Sequence, residues 1–256
     1  MIAISAIEKS LHQQASFIAE RYGLPILPPG EKTSPFSLLL TQEHLELRED
    51  NRLSPPLYVD FGGPDLLRRA SGRGRSETLF RALGRGLTVG SGSIVDTTAG
   101  LGRDAFMLAA WGYRVHAIER APVVAALLDD GLQRARVNKS LSKVVNRITI
   151  VFGDAREFLA KLTEKPAVVY LDPMYPKSPK RARKSLGMHR LRHVLSDDAD
   201  AESLLEVALN TATYRVVVKR PLRAPTLGGV SSGSIFGRTI RFDLYPPLRE
   251  NSVCIR

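Results

Sequence analysis

An apolar strand that breaks into a glycine turn and reopens as a helix limits this chain to few folds. Ser93-Ile94-Val95-Asp96 carries the strand, and Thr97-Thr98-Ala99-Gly100-Leu101-Gly102-Arg103-Asp104 carries the turn and the first helical residues. Glycine lets the backbone turn tightly and approach a ligand, and the N–H groups of a helix start point at whatever is bound there. Such a turn works at the carboxyl edge of a parallel sheet, and the rest of the sequence supplies one. Strand patterns recur at 114–118, 148–152, 167–171, 214–219 and 239–245, with helical patterns at 103–111, 122–138, 155–162 and 201–211. This alternation predicts a mostly parallel, doubly wound α/β sheet.

The chain before the glycine turn reads differently. Residues 6–22 space Ile7, Leu11, Ala15 and Ile18 as on one face of a helix, which Gly23 and Pro25 end. Residues 36–40 and 45–47 flank Thr41-Gln42-Glu43-His44 as in a hairpin, and residues 57–61 are expected to add a third strand to a minor antiparallel lobe. Arg73-Gly74-Arg75 reads as loop and residues 77–83 as a short helix leading into the main domain. The division expected is a small α+β lobe over 1–86 and a main domain over 87–256.

Composition narrows the class. With 256 residues the chain buries a full core, and a single cysteine, Cys254, rules out an internal disulfide framework or a cysteine-based metal site. No apolar run approaches the roughly 18 residues that span a bilayer, and the amino terminus lacks a signal-peptide pattern, so a soluble cytoplasmic protein with no membrane partner is expected. His189 and His193 stand four apart among cations with no carboxylate between them, so no metal is expected. Net charge is +11, but residues 1–50 hold four Lys or Arg against seven Asp or Glu, so the remainder carries +14. Two segments concentrate it. Arg68, Arg69, Arg73, Arg75, Arg81 and Arg85 face only Glu77, while Lys177, Lys180, Arg181, Arg183, Lys184, Arg190 and Arg192 face no acid at all. Such clusters suit phosphate contacts, although a solvated basic face has the same composition.

The second informative loop is Asp172-Pro173-Met174-Tyr175, which caps the 167–171 strand. Beside the glycine turn it makes a cofactor site next to a flat-base site, the layout of an S-adenosylmethionine-dependent amino methyltransferase. The competitor is a dinucleotide fold, because Gly100-Leu101-Gly102-Arg103-Asp104-Ala105 satisfies G-x-G-x-x-A and Glu119 ends the next strand. Three features favour methyl transfer. Asp96 can organise the loop and attract a cationic methionine moiety, Asp154 lies where an adenine amino group would, and Asp172 ends the fourth strand. Glu119 is expected to accept from the ribose hydroxyls. Gly100, Gly102, Arg103 and Asp104 would line the cofactor, with Asp104 alternatively complementing the helix dipole and Asp154 alternatively capping a helix.

Transfer from a sulfonium needs a nucleophile held in line and kept dry. An exocyclic amine has its lone pair delocalised into the ring. Hydrogen bonds from its N–H groups to the Asp172 carboxylate and the Pro173 carbonyl would orient it and stabilise developing charge. Tyr175 is expected to stack on the base, and a base within an RNA helix would be flipped out to reach it.

The runs Asp96 to Phe106, Ile118-Glu119-Arg120 with Pro122 to Leu132, Val169 to Pro176, Val217 to Pro221 and Arg241-Phe242-Asp243 together resemble the bacterial small-subunit ribosomal RNA methyltransferase J family. The resemblance spans most of residues 57–245. It implies a Rossmann-like class I S-adenosylmethionine-dependent methyltransferase that methylates N2 of a guanine in 16S rRNA, with the rRNA or the small ribosomal subunit as partner. It also implies cofactor contacts at Arg103, Asp104, Glu119, Arg120, Asp154, Ala155 and Asp172. Arg68-Arg69 and Gly72-Arg73-Gly74-Arg75 resemble a basic glycine-rich entry segment of that family, with Leu67, Ser71 and Arg75 as departures. Asp154-Ala155 stands where the family has a serine pair, leaving Ala155 only its backbone. Lys219 and Arg220 complete the expected RNA contacts. Two alternatives stay open beside the dinucleotide enzyme: a non-catalytic ribosome-assembly factor using only the basic face, and a DNA amino methyltransferase, for which no groove-reading module is apparent.

Overall fold

A computed structural model describes residues 2–28, 30–31, 34–49, 55–71, 77–90, 92–174 and 200–248. Among them the strands form two sheets. The large one uses β4 (Ser93–Asp96), β5 (Arg114–Glu119), β6 (Ile148–Phe152), β7 (Val168–Leu171), β8 (Arg215–Pro221), β9 (Gly233–Phe236) and β10 (Ile240–Tyr245) in the order β6-β5-β4-β7-β8-β10-β9. Strands β6 to β8 in this order are parallel, and β10 runs antiparallel to both β8 and β9. An antiparallel strand inserted beside the fifth parallel one departs from the dinucleotide-binding order. β5 and β6 lie on one side of β4 and β7 on the other, so the ends of β4 and β7 flank the crevice where ligands bind in open α/β sheets.

Strand alternation explains the two layers. Ile94, Val168, Tyr170 and Val217 point into one core, while Val95, Val169, Leu171, Val216 and Val218 point into the other. The first is covered by α4 (Arg103–Ala110) and α5 (Pro122–Val137), joined by α3 (Thr78–Leu83) and α6 (Ser142–Val145), and the second by α7 (Ala155–Lys161) and α8 (Ala201–Thr211). Ala105 to Ala109 are all buried, as are Leu205 and Ala208 on the opposite layer. Truncating a leucine in either layer to alanine is expected to cost roughly 2–5 kcal/mol.

The small sheet corrects two expectations. Its order is β1-β2-β3, with β1 (Ile4–Ala6) parallel to β2 (Phe36–Leu40) and β3 (Leu45–Glu49) antiparallel to β2. The lobe is therefore mixed, and its third strand is 4–6. Residue Leu57 contributes only an isolated bridge to Leu47. The helix expected over 6–22 is α1 (His12–Tyr22), preceded by a short 3-10 turn. Ile7 is exposed, and the buried face is Ala15, Ala19 and Tyr22. The hairpin, the 77–83 helix and the six expected strands of the main sheet are present within two residues of their expected ends. A helix not foreseen, α2 (Pro64–Ala70), and strand β9 complete the described elements. The small sheet packs on α5 through one continuous apolar core, and the Tyr22 hydroxyl donates to Asp129 Oδ2 at 2.8 Å. No helix among the described residues is long and apolar enough to cross a membrane.

Candidate active site

A cavity of about 640 Å³ opens at the carboxyl ends of β4, β5 and β7. Its volume falls within the ~300–1,000 Å³ typical of small-molecule sites. Of the residues singled out in the sequence, Asp96, Gly100, Arg103, Asp104, Glu119, Arg120, Asp154, Ala155, Asp172, Pro173, Lys219 and Arg69 line it.

The glycine turn is tied to both neighbouring loops. Gly100 N–H donates to Glu119 Oε2 at 2.9 Å, and Ala121 N–H donates to Glu119 Oε1 at 2.7 Å, so this buried carboxylate spans the ends of two loops. Thr98 Oγ1 accepts the Asp172 N–H at 2.6 Å, and Thr97 Oγ1 donates to the Tyr170 carbonyl at 2.9 Å. The threonine pair thus holds the two informative loops edge to edge. Gly102 sits away from the cavity lining as the residue before α4. At φ +74°, a Cβ there would meet Leu128 Cδ1 at 2.5 Å, so this glycine permits helix packing rather than ligand approach.

Charge in the cavity is sharply divided. Asp96 is almost fully buried and accepts the Thr98 N–H at 3.2 Å; burial, then the nearby Asp104, pushes its carboxyl well above the usual carboxylate range. Burial also pushes Asp104 upward, but Lys219, the Tyr170 hydroxyl and Arg69 outweigh it and hold the carboxyl below its usual value. Asp104 Oδ2 accepts from Tyr170 Oη at 2.7 Å and from Lys219 Nζ at 2.7 Å, and Lys219 Nζ also reaches Asp172 Oδ2 at 2.8 Å. Burial alone would lower the lysine's pKa; the two carboxylates win and raise it. The Arg103 side chain is exposed at the cavity wall.

On the far rim, Asp154 caps α7 through Arg156 N–H at 2.8 Å, and its carboxylate also pairs with the Arg156 guanidinium. The capping alternative for Asp154 is therefore realised, and the residue still faces the cavity. Arg120 makes two bonds to Asp200, at 3.0 and 2.7 Å, and Arg156 approaches the same carboxylate at 3.1 Å. Asp200, Arg156, Thr98 and Tyr170 are site residues that the sequence reading missed. Only Thr98 carried a signal, a polar residue at a strand end beside a glycine turn.

Two residues expected to contact RNA point inward. Arg220 is buried, and its guanidinium turns inward to donate to the Pro225 carbonyl at 3.1 and 2.9 Å. Lys219, on the opposite face of the strand, bridges two carboxylates inside the cavity. Arg68 is exposed and pairs with Asp65 at 2.8 Å, while Arg69 pairs with Glu77 at 3.2 Å. Tyr175, Arg73, Arg75, Lys177, Lys180, Arg181, Arg183 and Lys184, together with His189 and His193, lie outside the described residues.

The site accommodates the expected cofactor. Buried acids at the end of β4 and the start of α4 suit a cation, the exposed Arg103 suits a carboxylate, and Glu119 at the end of β5 suits a ribose diol. Comparison with known proteins points the same way. Residues 18–247 match the family described as "Putative SAM-dependent methyltransferase". The ribosomal RNA small subunit methyltransferase J of Dechloromonas aromatica (strain RCB) is 44% identical over 222 residues, covering 85% of this chain and 90% of the relative. That of Pseudomonas syringae pv. syringae (strain B728a) is 39% identical over 249 residues, covering 96% and 91%. A crystal structure of a SAM-dependent methyltransferase from Neisseria gonorrhoeae superposes with a TM-score of 0.75 at 31% identity, covering 96% of each chain.

Proposed function

Because the chain belongs to the ribosomal RNA small subunit methyltransferase J family, we propose that it transfers a methyl group from S-adenosylmethionine to the exocyclic N2 of a guanine in 16S rRNA. The observation that carries this is the placement of Asp172 and Pro173 on the wall of the cavity formed by the glycine turn and Glu119. Bound there, S-adenosylmethionine supplies an electrophilic methyl on a sulfonium. The chain's residues do the rest. Glu119 holds the ribose, Arg103 the methionine carboxylate, and Asp96 the methionine ammonium. The Asp154-Ala155 turn faces the adenine, with Ala155 contributing backbone alone. Arg120 braces that rim through Asp200.

The Asp172 carboxylate and the Pro173 carbonyl accept the two N–H bonds of the guanine amine. Their pull returns lone-pair density to the nitrogen and stabilises the positive charge that grows on it. Tyr175 stacks on the flipped base. Arg68, Arg69, Arg73 and Arg75, with Lys177, Lys180, Arg181, Arg183 and Lys184, hold the surrounding phosphates, and residues 1–86 form the RNA-recognition lobe. Substrate and enzyme meet in the cytoplasm. The direct test maps guanine methylation in 16S rRNA from a strain lacking this protein and restores it with the purified enzyme. Unchanged methylation in the deletion, or no transfer to either naked rRNA or small subunits in vitro, refutes the assignment, and tight NAD binding would revive the dinucleotide alternative.

A further inference from the structure

Lys219 is a largely enclosed cation in the corner of the cavity beside Asp172. It is presented by β8 between Val218 and Arg220, which both turn into the protein interior. Its side chain is 22% exposed, and its Nζ lies 2.7 Å from Asp104 Oδ2 and 2.8 Å from Asp172 Oδ2. The Tyr170 hydroxyl donates to the same Asp104 oxygen at 2.7 Å. Among the described residues, the charged and titratable groups facing this corner are Asp96 from β4, Asp104 from α4, Tyr170 from β7, Asp172 after β7, Lys219 from β8 and Arg69 from α2, the last paired with Glu77. An ammonium withdrawn from water this far must recover its lost hydration from its partners, and two carboxylates do so here. A lysine serving RNA phosphates would instead keep its ammonium at the surface.

We propose that Lys219 is a positioning residue for methyl transfer: it fixes the Asp172 carboxylate in the orientation that receives the guanine amine, and Asp104 with Tyr170 fixes Lys219. The proposal rests on the methyltransferase assignment above and deepens it. Its chemical sense is that Asp172 must accept hydrogen bonds. A protonated carboxyl would present a donor to an N–H group. Without the ammonium, Asp96, Asp104 and Asp172 would face one another with one fewer cation among them, and the group would take up a proton at higher pH than it does now.

The experiment compares full-length wild type with Lys219→Met, Lys219→Arg and Tyr170→Phe. Calorimetry reads S-adenosylmethionine affinity, and steady-state transfer to 16S rRNA reads kcat and KM across pH and salt. For Lys219→Met we expect cofactor affinity unchanged or tighter, because the pocket becomes more negative toward a cationic ligand. RNA KM should be unchanged, kcat should fall about 100-fold, as for loss of one preorganised electrostatic contact, and the acid limb of kcat should move to higher pH. Lys219→Arg should return the acid limb toward wild type. Tyr170→Phe keeps the ring's packing and should shift kcat and its acid limb in the same direction by less, so the network stays testable where Lys219→Met does not fold. A raised RNA KM with a flattened salt dependence and intact kcat would restore Lys219 to phosphate binding and overturn the proposal. So would an equal loss at every pH, which marks packing alone. A wild type inactive on guanine N2 overturns the methyltransferase assignment itself, and is read independently of the variants.

Discussion

Replacing Glu119 by alanine should damage both the apo fold and the cofactor site, in separable amounts. The carboxylate accepts Gly100 N–H at 2.9 Å and Ala121 N–H at 2.7 Å while almost fully buried. Hydrogen bonds to a charged group contribute about 1.5–3 kcal/mol each. Gly100 lines the cavity, where water can take over its N–H, so the loss from the empty protein should sit in the lower half of the sum, about 3–4.5 kcal/mol. For a chain of this size that lowers Tm by about 2–4 °C per kcal/mol. Each ribose hydroxyl that loses its charged acceptor should weaken cofactor binding by a further ~1.5–3 kcal/mol, or roughly tenfold to more than a hundredfold. Urea unfolding without cofactor measures the first quantity, and calorimetry below the transition measures the second. Glu119→Gln keeps one carbonyl acceptor and should fall between. An alanine variant as stable as wild type would refute the loop-bridging role; a destabilised variant with wild-type affinity would remove Glu119 from the ribose site.

Asp96 holds its proton to unusually high pH in the empty site, and a bound cation favours its ionised form, so cofactor binding should release protons and strengthen as pH rises from the usual carboxylate range toward the raised value. Calorimetry in buffers of different ionisation enthalpy reads that release, and no buffer dependence would disprove it. Gly102→Ala adds a Cβ at φ +74° and 2.5 Å from Leu128 Cδ1, so strain of about 1–2 kcal/mol from the left-handed backbone and overpacking of about 1–3 kcal/mol should lower urea stability; an unchanged midpoint would contradict the packing. Asp172→Ala should abolish guanine methylation, and Tyr175→Phe should retain far more activity than Tyr175→Ala; equal activity of the two Tyr175 variants would exclude stacking. Neutralising Lys180, Arg181, Arg183 and Lys184 together should flatten the salt dependence of RNA binding by roughly 0.7–0.9 in log–log slope per lost phosphate contact, and parallel lines would show a merely solvated face.

Elements with strong local signals were legible in the sequence. Residues 201–211 repeat their apolar spacing over three turns, Pro122 opens α5 at its first position, and Asp154 caps α7, so these helices stand where expected. Strand β1 was not legible, because Ile4-Ser5-Ala6 is too short to show a period and exists through its pairing with Leu38 to Leu40. Strand β9 has only Ile235 and Phe236 as apolar residues, and it is held by pairing with β10 and by contact with α3. The loops that line the cavity were legible because glycine and proline mark their turns. The role of Lys219 was not: its strand position gives its face, but not that acids from α4 and the end of β7 converge there. A count of basic residues favoured phosphate, whereas the fold sets two carboxylates against this ammonium.

The seat of the small sheet on α5 sets an order of events during synthesis. Leu38, Leu40, Leu45 and Leu47 are wholly buried in a core that is continuous with α5, which ends at Val137. Sheet β1-β2-β3 is complete in sequence by Glu49. At roughly 5–20 residues per second, the chain between those points takes about 4–18 s to emerge, far longer than the microseconds in which a hairpin forms. The sheet, with α1 already on it, therefore lacks its α5 cover until the middle of the chain arrives. A chaperone that binds exposed leucine faces has its opening in that interval, and slowing translation between residues 50 and 137 should lengthen it.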